Sequence, residues 1–212
     1  IPVVADGDTG YGNALNVRHT VRAYRRAGVA GIQLEDQEFP KRCGHLEGKQ
    51  VVSATEMVAK IKAAKDEAGD DLLIVARTDS RAVLGLQEAL ERGHAYWNAG
   101  ADILFIEAPR DLNELRVIAR EFPEIPLLAN IVEGGKTPYL SSQVLGEIGF
   151  ALAIYPVTAL LAATGAMQDI LAQLSSIGHV NLEKLPTFSD LHEVSGLSNY
   201  LDDALEAATE ES

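Results

Sequence analysis

The sequence is poor in several features that would each point to a particular class of protein. It holds one cysteine in 212 residues, so no disulfide can form within the chain, and this usage suits a reducing cytoplasm. No apolar run approaches the length of a membrane span. Positive charge is also scarce, because 18 Lys and Arg face 31 Asp and Glu, and the net charge of −13 would repel a phosphate backbone. We therefore expect a cytoplasmic protein that binds neither membranes nor nucleic acid.

What the sequence does contain is enough apolar material for one core. Apolar residues make up 47% of the chain, charged residues 23% and aromatic residues 6%, which is typical of a soluble globular domain. Barrel folds of about 200–250 residues often remain undivided. We therefore expect residues 1–212 to form a single domain.

Short apolar runs recur along the chain, and each is followed by an amphipathic stretch. The runs mostly lack period-2 alternation, which is typical of strands buried on both faces of a parallel sheet. They cover residues 3–5, 31–34, 72–76, 103–106, 126–129 and 150–155. The helical patterns between them cover residues 13–26, 53–68, 86–99, 112–122 and 141–148, and another follows Pro156. The series predicts six strand–helix units.

Two α/β folds fit such a series: an open doubly wound sheet and a closed (β/α)8 barrel of the TIM type. Polar residues follow nearly every predicted strand, whereas a doubly wound sheet would gather them at one switch point, so we favour the barrel. Six strands do not close such a barrel. Because the sequence opens within a strand-like run and without Met, we expect about two N-terminal strands to be missing from it.

Carboxylates at the strand ends suggest a metal site. Asp6 and Asp8 flank one glycine, Glu35 follows the second predicted strand, and Glu107 follows the fourth. At the C-terminal mouth of a barrel these side chains would converge, and Mg²⁺ prefers oxygen ligands and retains water. A glycine-rich turn with solvated acids would explain Asp6 and Asp8 alone, but the acids on other strands favour Mg²⁺, with Mn²⁺ as a possible substitute.

The long segment from residue 37 to 52 carries a second set of reactive side chains. Its only cysteine, Cys43, stands among Lys41, Arg42 and His45, and nearby cations lower the pKa of a thiol. A lone cysteine is otherwise more often a buried small hydrophobe. We interpret the segment as a mobile lid over the barrel mouth that brings an acid–base thiol to an anionic substrate.

Two further strand ends offer groups that bind carboxylates. Arg77 at the end of the third predicted strand suits a bidentate clamp, although an ion pair with Asp79 or Glu107 would explain it as well. Asn130 ends the fifth predicted strand, with Glu133 behind it. Buried amides and acids at such places can also be structural.

Taken together, these motifs resemble those of the isocitrate lyase/phosphoenolpyruvate mutase superfamily over residues 1 to about 175. The motifs, in chain order, are Asp-x-Asp-Thr-Gly-Tyr-Gly from residue 6, Glu-Asp-Gln from 35, Lys-Arg-Cys-Gly-His from 41, Ala-Arg-Thr-Asp from 76, Phe-x-Glu-Ala from 105 and Leu-x-Asn-x-x-Glu-Gly-Gly-x-Thr-Pro from 128. The Lys-Arg-Cys-Gly-His element is the most specific. Its context looks most similar to the branch of alkylmalate (dimethylmalate) lyases and carboxyphosphonoenolpyruvate mutase-like proteins.

The resemblance implies a role for each candidate residue. Asp6 would bind Mg²⁺ directly, while Asp8 and Glu35 would act through waters. Cys43 would be the general acid, with Lys41, Gly44 and His45 shaping the gating loop. Arg77, Glu107, Asn130 and Glu133 would position a small carboxylate substrate. The family also implies a homotetramer in which a C-terminal arm, about residues 180–212, is swapped between subunits.

The implied reaction is Mg²⁺-dependent cleavage of a 2-hydroxy di- or tricarboxylate, of the 2-alkylmalate or methylisocitrate type, to a 2-oxo acid and a second carboxylic acid. Two alternatives stay open. The same site could carry out P–C bond chemistry of the carboxyphosphonoenolpyruvate phosphonomutase type, or cleave oxaloacetate. The chain could also be a truncated barrel that survives only as an assembly partner without catalysis.

Overall fold

The computed structural model describes residues 1–197 and 199–201, apart from the side chain of Lys184. Parallel strands alternate with helices along this part of the chain. The strands are β1 (Val4–Asp6), β2 (Gly31–Glu35), β3 (Leu73–Thr78), β4 (Ile103–Ile106), β5 (Leu128–Asn130) and β6 (Leu152–Ile154). The α-helices are α1 (Ala14–Arg26), α2 (Ala54–Ala68), α3 (Ser80–Val83), α4 (Leu86–Asn98), α5 (Leu112–Glu121), α6 (Ser142–Ile148), α7 (Thr158–Ile177) and α8 (Phe188–Ser195), with a 3₁₀ turn at Leu182–Lys184.

The strands follow one another in chain order. β1 to β4 form one parallel sheet, and β5 pairs in parallel with β6. A single parallel bridge between Leu104 and Leu127 connects β4 to the residue before β5. The six predicted strands and their parallel arrangement are therefore confirmed, with boundaries shifted by one or two residues.

Both faces of the sheet are apolar, which explains why the strand sequences do not alternate. In β3 and β4, Ile74 and Leu104 belong to the main core between the strands and the helices, together with residues of α2, α4 and α5. Their neighbours Val75, Ile103 and Phe105 belong to a smaller cluster on the other face, with Leu128. Since successive side chains of a strand point to opposite faces, a continuous apolar run fills both clusters.

The helices begin where the sequence provides polar caps. Asn13 and Asn16 form a reciprocal capping box at the start of α1, and Asp111 caps α5. At the start of α2 only half of such a box is formed. The Ser53 hydroxyl accepts a hydrogen bond from Glu56 N at 3.2 Å, but the Glu56 carboxylate pairs with Lys60 one turn later instead of returning to the cap.

The chain divides into two compact units, residues 1–159 and 160–212. The first contains all six strands and every candidate site residue. The described part of the second contains most of α7, the 3₁₀ turn and α8, and the last two lie within the predicted C-terminal arm, about residues 180–212. Part of the predicted C-terminal arm, residues 202–212, lies outside the described residues. None of the described helices is both long and apolar enough to cross a membrane.

Candidate active site

The carboxyl ends of β1 to β4 bring the predicted acids to one edge of the sheet. Asp6 and Glu35 are the last residues of β1 and β2, and Glu107 directly follows β4. The turn after β1 requires glycine at position 7, because a Cβ there would lie 2.8 Å from Ile32 Cδ1 and 2.9 Å from Gln33 O. Asp8, next in the turn, has a positive φ of 48°, a conformation that non-glycine residues adopt mainly at special sites.

The ammonium of Lys41 lies among three of these carboxylates. Its Nζ is 2.8 Å from Asp8 Oδ1, 3.6 Å from Glu35 Oε1 and 3.7 Å from Asp6 Oδ2. Three acids from two strands thus surround one positive charge supplied by the lid, residues 37–52. Their clustering is the electrostatic signature of a cation site.

The burial and hydrogen bonding of Glu35 indicate whether the cluster fits a divalent ion. Its side chain is fully buried, and neither carboxylate oxygen has a hydrogen-bond partner among the described residues. Burial raises the pKa of Glu35 to about 7, even though Arg77 and Lys41 lower it. Buried carboxylate oxygens that accept no hydrogen bond fit a hydrated Mg²⁺ ion, whose waters would donate to them. Among the described residues, however, no three Asp, Glu, His or Cys side chains stand close enough to hold a metal together, so the set with one direct ligand stays a prediction.

Arg77 connects the acids of the site. Its Nη1 lies 3.2 Å from Glu35 Oε2 and its Nη2 lies 3.4 Å from Glu107 Oε2. Nε and Nη2 also donate to the two oxygens of Asp79, at 2.9 and 3.1 Å. The ion pairs considered as the alternative for Arg77 are therefore present, and the role of Arg77 as a substrate clamp stays a prediction.

Asp36 follows Glu35 directly in the chain, but its side chain does not face the site. Its fully buried carboxylate accepts hydrogen bonds from Thr78 Oγ1, Asp79 N, Arg92 Nη1 and Tyr96 Oη, at 2.6, 2.9, 3.0 and 2.7 Å. Glu35 and Asp36 are neighbours in an extended segment, so their side chains point to opposite sides. Asp36 links β2, the end of β3 and α4, which is a structural task.

The lid lies against the acid cluster. A Cβ on Gly44 would be 2.6 Å from both Arg77 Nη2 and Glu107 Cδ, so only glycine allows this approach. His45 Nδ1 accepts from Lys136 N at 3.0 Å, and Nε2 lies 3.4 Å from Glu107 Oε1. Burial lowers the pKa of His45, which favours the neutral ring. Cys43 is exposed beside Gly44, on the same rim as the acids.

Asn130 contacts the acids of the site, whereas Glu133 has a different hydrogen-bond partner. Asn130 Nδ2 donates to Glu107 Oε2 at 3.2 Å, and its Oδ1 is buried without a hydrogen-bond partner in the described structure. Glu133 instead accepts a hydrogen bond from the hydroxyl of Thr158. A cavity of about 310 Å³ adjoins the cluster and is lined by Asp6, Gln33, Arg77 and Asn130 and by apolar residues of β1, β5 and β6.

Sequence reasoning missed three residues that organise the site. Asp79 entered only as an ion-pair alternative, Lys49 was not singled out, and neither was Tyr96, which donates its hydroxyl to Asp36. Of these, Lys49 offered one signal, since it belongs to the same loop as the other lid cations. The burial of Lys49 could not be predicted from its position in the sequence.

Comparison with known proteins decides the family. The family model for phosphoenolpyruvate phosphomutase matches residues 1–175. The chain belongs to this family. The predicted superfamily is thereby confirmed.

Among curated relatives, this phosphoenolpyruvate phosphomutase family member is 48% identical over 200 residues to 2,3-dimethylmalate lyase of Eubacterium barkeri, covering 93% of the chain and 69% of the relative. It is 46% identical over 202 residues to 2-methylisocitrate lyase of Aeropyrum pernix, covering 94% of the chain and 65% of the relative. The chain thus spans about two thirds of the length of these proteins. Their names agree with the predicted class of enzyme, a carbon–carbon lyase.

Solved structures agree on the fold. A structure of oxaloacetate acetylhydrolase with the inhibitor 3,3-difluorooxalacetate superposes with a TM-score of 0.90 at 37% identity, covering 98% of this chain and 71% of the other. Phosphonopyruvate hydrolase with oxalate and Mg²⁺ superposes with a TM-score of 0.81 at 33% identity, covering 98% and 72%. The predicted barrel class of this family member is therefore confirmed.

Proposed function

We propose that the protein is a Mg²⁺-dependent carbon–carbon lyase that cleaves a 2-hydroxy di- or tricarboxylate to a 2-oxo acid and a second carboxylic acid. The observation that carries the proposal is the meeting of Asp6, Asp8 and Glu35 around one cationic position, on the same rim as the lid that holds Cys43. The curated relatives with lyase names support the same reaction class.

The acid cluster would hold the metal. Asp6 would bind Mg²⁺ directly, with Asp8 and Glu35 acting through waters, and Mn²⁺ could replace it. When bound, the ion would act as a Lewis acid toward the 2-hydroxyl and carboxylate oxygens of the substrate. The related phosphonopyruvate hydrolase was crystallised as a complex with oxalate and Mg²⁺, which supports this choice of ion and ligand class. Lys41 occupies the centre of the cluster in the structure, so metal binding requires its ammonium to move.

The chain's own side chains would position the substrate. Asn130 Oδ1, buried and without a hydrogen-bond partner in the described structure, is available to accept a hydrogen bond from a substrate hydroxyl or carboxyl group. Arg77 lines the cavity and would attract a carboxylate, and Gly44 and Glu107 lie next to Arg77. Glu133 contributes from the loop after β5, and its buried Oε2 also has no partner among the described residues. His45, kept neutral by burial, would orient the lid against Glu107.

The bond changes follow from these roles. A base takes the proton of the substrate's 2-hydroxyl, and the oxygen electrons form the C2=O bond as the C2–C3 bond breaks. The released electron pair is held at C3 and its neighbouring carboxylate as an enolate. Cys43 then gives its thiol proton to C3, which completes the second carboxylic acid and leaves a thiolate. Transfer of the proton from the base to the thiolate restores the enzyme.

A substrate panel tests the proposal. The protein is incubated with Mg²⁺ and 2,3-dimethylmalate, 2-methylisocitrate, oxaloacetate or phosphonopyruvate, and 2-oxo acid release is followed. We expect turnover of a 2-hydroxy acid that stops on chelation with EDTA. Cys43→Ser should lower kcat about 100-fold or more while leaving Mg²⁺ binding intact. Absence of turnover on every 2-hydroxy acid would contradict the lyase proposal.

A second candidate is cleavage of oxaloacetate or P–C bond chemistry on the same site. The superposition on oxaloacetate acetylhydrolase supports the first of these reactions, and the match to the phosphomutase family model supports the second. Release of oxalate and acetate from oxaloacetate would identify the first reaction, and phosphorus NMR of phosphonopyruvate products would identify the second. Cys43 in the lid favours carbon–carbon bond cleavage over a phosphonomutase rearrangement, because breaking the carbon–carbon bond leaves a carbanion that needs a proton, and the substrate panel separates the two carbon–carbon cleavages.

We also propose that the protein acts in the cytoplasm as a homotetramer. The family resemblance supports the tetramer, and the single cysteine suits a reducing compartment. Light scattering on the purified protein measures the assembly directly, and a monomeric mass would contradict the tetramer.

A further inference from the structure

Lys49, near the end of the lid, is a buried lysine that the reaction scheme does not use. Only 2% of its side chain is exposed. Its Nζ lies 3.2 Å from Asp79 Oδ1 and donates a hydrogen bond to the carbonyl oxygen of Gly44. A buried ammonium is costly unless it is paired and hydrogen-bonded, and both conditions are met here.

The two partners of Lys49 belong to different parts of the site. Asp79 is fully buried and also holds Arg77 by two hydrogen bonds, at 2.9 and 3.1 Å. Asp79 therefore stands between two cations, and its position depends on both. Through Asp79, Lys49 acts on the guanidinium that pairs with Glu35 and Glu107.

The Gly44 carbonyl gives the second connection. Gly44 is the residue of the lid that approaches Arg77 and Glu107 too closely for any side chain. By donating to this carbonyl, Lys49 connects the C-terminal part of the lid to Gly44, the residue at which the lid contacts Arg77 and Glu107. Cys43 immediately precedes that point.

We propose that Lys49 is a positioning residue that fixes the lid against the site through the Gly44 carbonyl and fixes Arg77 through Asp79. Where it concerns the delivery of Cys43, the inference rests on the proposed function. The lid geometry itself does not depend on which reaction the protein catalyses.

Hydrogen exchange of the lid amides tests the inference on the protein without ligand. Leu46 N donates to Cys43 O at 2.9 Å, and Lys136 N donates to His45 Nδ1 at 3.0 Å, so both amides report on the lid. Lys49→Met keeps the length of the side chain but removes its charge and donors. We expect exchange of these two amides to rise on the order of 10-fold or more in this variant, because a hydrogen bond to a charged group is lost.

Two other variants serve as controls. Lys49→Arg, which retains charge and donors, should restore most of the protection, and Lys62→Met, at an exposed position on α2, should leave lid exchange unchanged. In the active enzyme, Lys49→Met should lower kcat about 10- to 100-fold while the affinity for Mg²⁺ stays within about twofold, since misplacing the lid and Arg77 affects the chemical step.

Unchanged lid exchange in Lys49→Met would overturn the inference, whether or not the protein is a lyase. Equal acceleration of amides throughout β3 and β4 would also overturn it, because Lys49 would then support the whole fold. If Lys49→Met does not fold, Lys49→Gln takes its place, because glutamine retains an N–H donor without the charge. Unchanged lid exchange in Lys49→Gln, or equal acceleration throughout β3 and β4, would then overturn the inference. A lack of turnover in the unmutated protein would contradict the proposed function and leave the exchange measurement intact.

Discussion

At the scale of single residues, the site depends on places where a side chain is absent as much as on those where one is present. Gly7 lets the turn after β1 pass over Ile32, and Gly44 lets the lid touch Arg77 and Glu107. Gly7 lies between Asp6 and Asp8, and Gly44 directly follows Cys43, so each glycine is next to residues with a proposed chemical role. The motifs containing them are therefore geometric requirements as well as chemical ones.

Gly44→Ala tests this requirement. The new methyl group would overlap Arg77 Nη2 and Glu107 Cδ at 2.6 Å, so the lid has to move outward. We expect faster trypsin cleavage after Lys41 and Arg42, a fall in turnover of about 10- to 100-fold, and a free energy of unfolding within about 1 kcal/mol of the original.

Gly146→Ala is the matched control for that substitution. Gly146 lies in α6 with open space around its Cβ position, so alanine should leave the lid unchanged and stabilise the helix by about 0.5–1 kcal/mol. Equal rates of lid cleavage in Gly44→Ala and the unmutated protein would contradict the close contact.

At the scale of elements, one buried carboxylate holds several of them in place. Asp36, directly after β2, accepts from Thr78 at the end of β3, from Asp79 N, and from Arg92 and Tyr96 of α4. Arg92 also donates to Val52 O, at the end of the lid, at 2.8 Å. Burial raises the pKa of Asp36, while its hydrogen bonds oppose that rise. The ends of β2 and β3 and the base of the lid are thus set by one network.

Tyr96→Phe measures how much this network contributes to the free energy of unfolding. It removes one buried hydroxyl that donates to Asp36 at 2.7 Å and preserves the ring, so we expect a loss of about 1–3 kcal/mol in the free energy of unfolding by urea denaturation. Tyr139→Phe, at a residue 62% exposed, should change it by less than about 0.5 kcal/mol. A similar small effect at both positions would show that the hydrogen bond from Tyr96 to Asp36 does not stabilise the fold.

At the scale of the whole molecule, metal binding should couple two strands. The proposed ligands come from the ends of β1 and β2, so an ion bound only by the folded protein stabilises it. At 100 times its Kd, Mg²⁺ would add about 2.7 kcal/mol to the free energy of unfolding. We expect a rise in Tm on addition of millimolar Mg²⁺, measured by calorimetry.

Glu35→Gln and Asp6→Asn should each weaken or remove that rise in Tm, because each neutralises one acid of the cluster. Lys62→Met, distant in sequence and exposed on α2, should retain it. A Mg²⁺-dependent rise of the same size in Glu35→Gln and Asp6→Asn would place the ion elsewhere on this acidic chain.

The alternation of strands and helices could be read from the residues alone, because apolar runs and caps are local signals. The six strands, to within one or two residues, and the family motifs were likewise recognisable without coordinates. Asp6, Glu35 and Glu107 could be expected to meet because parallel strands present their carboxyl ends at one edge.

The pairing of these groups could be seen only in the folded chain. Adjacent acids such as Glu35 and Asp36 differ in role because one faces the site and the other faces α4, which composition and spacing do not encode. The same holds for Arg77, whose ion pairs depend on distances across three strands, and for Lys49, whose burial arises only when the lid closes over Asp79. Such roles depend on contacts between residues far apart in the chain, and those contacts exist only once the strands have assembled.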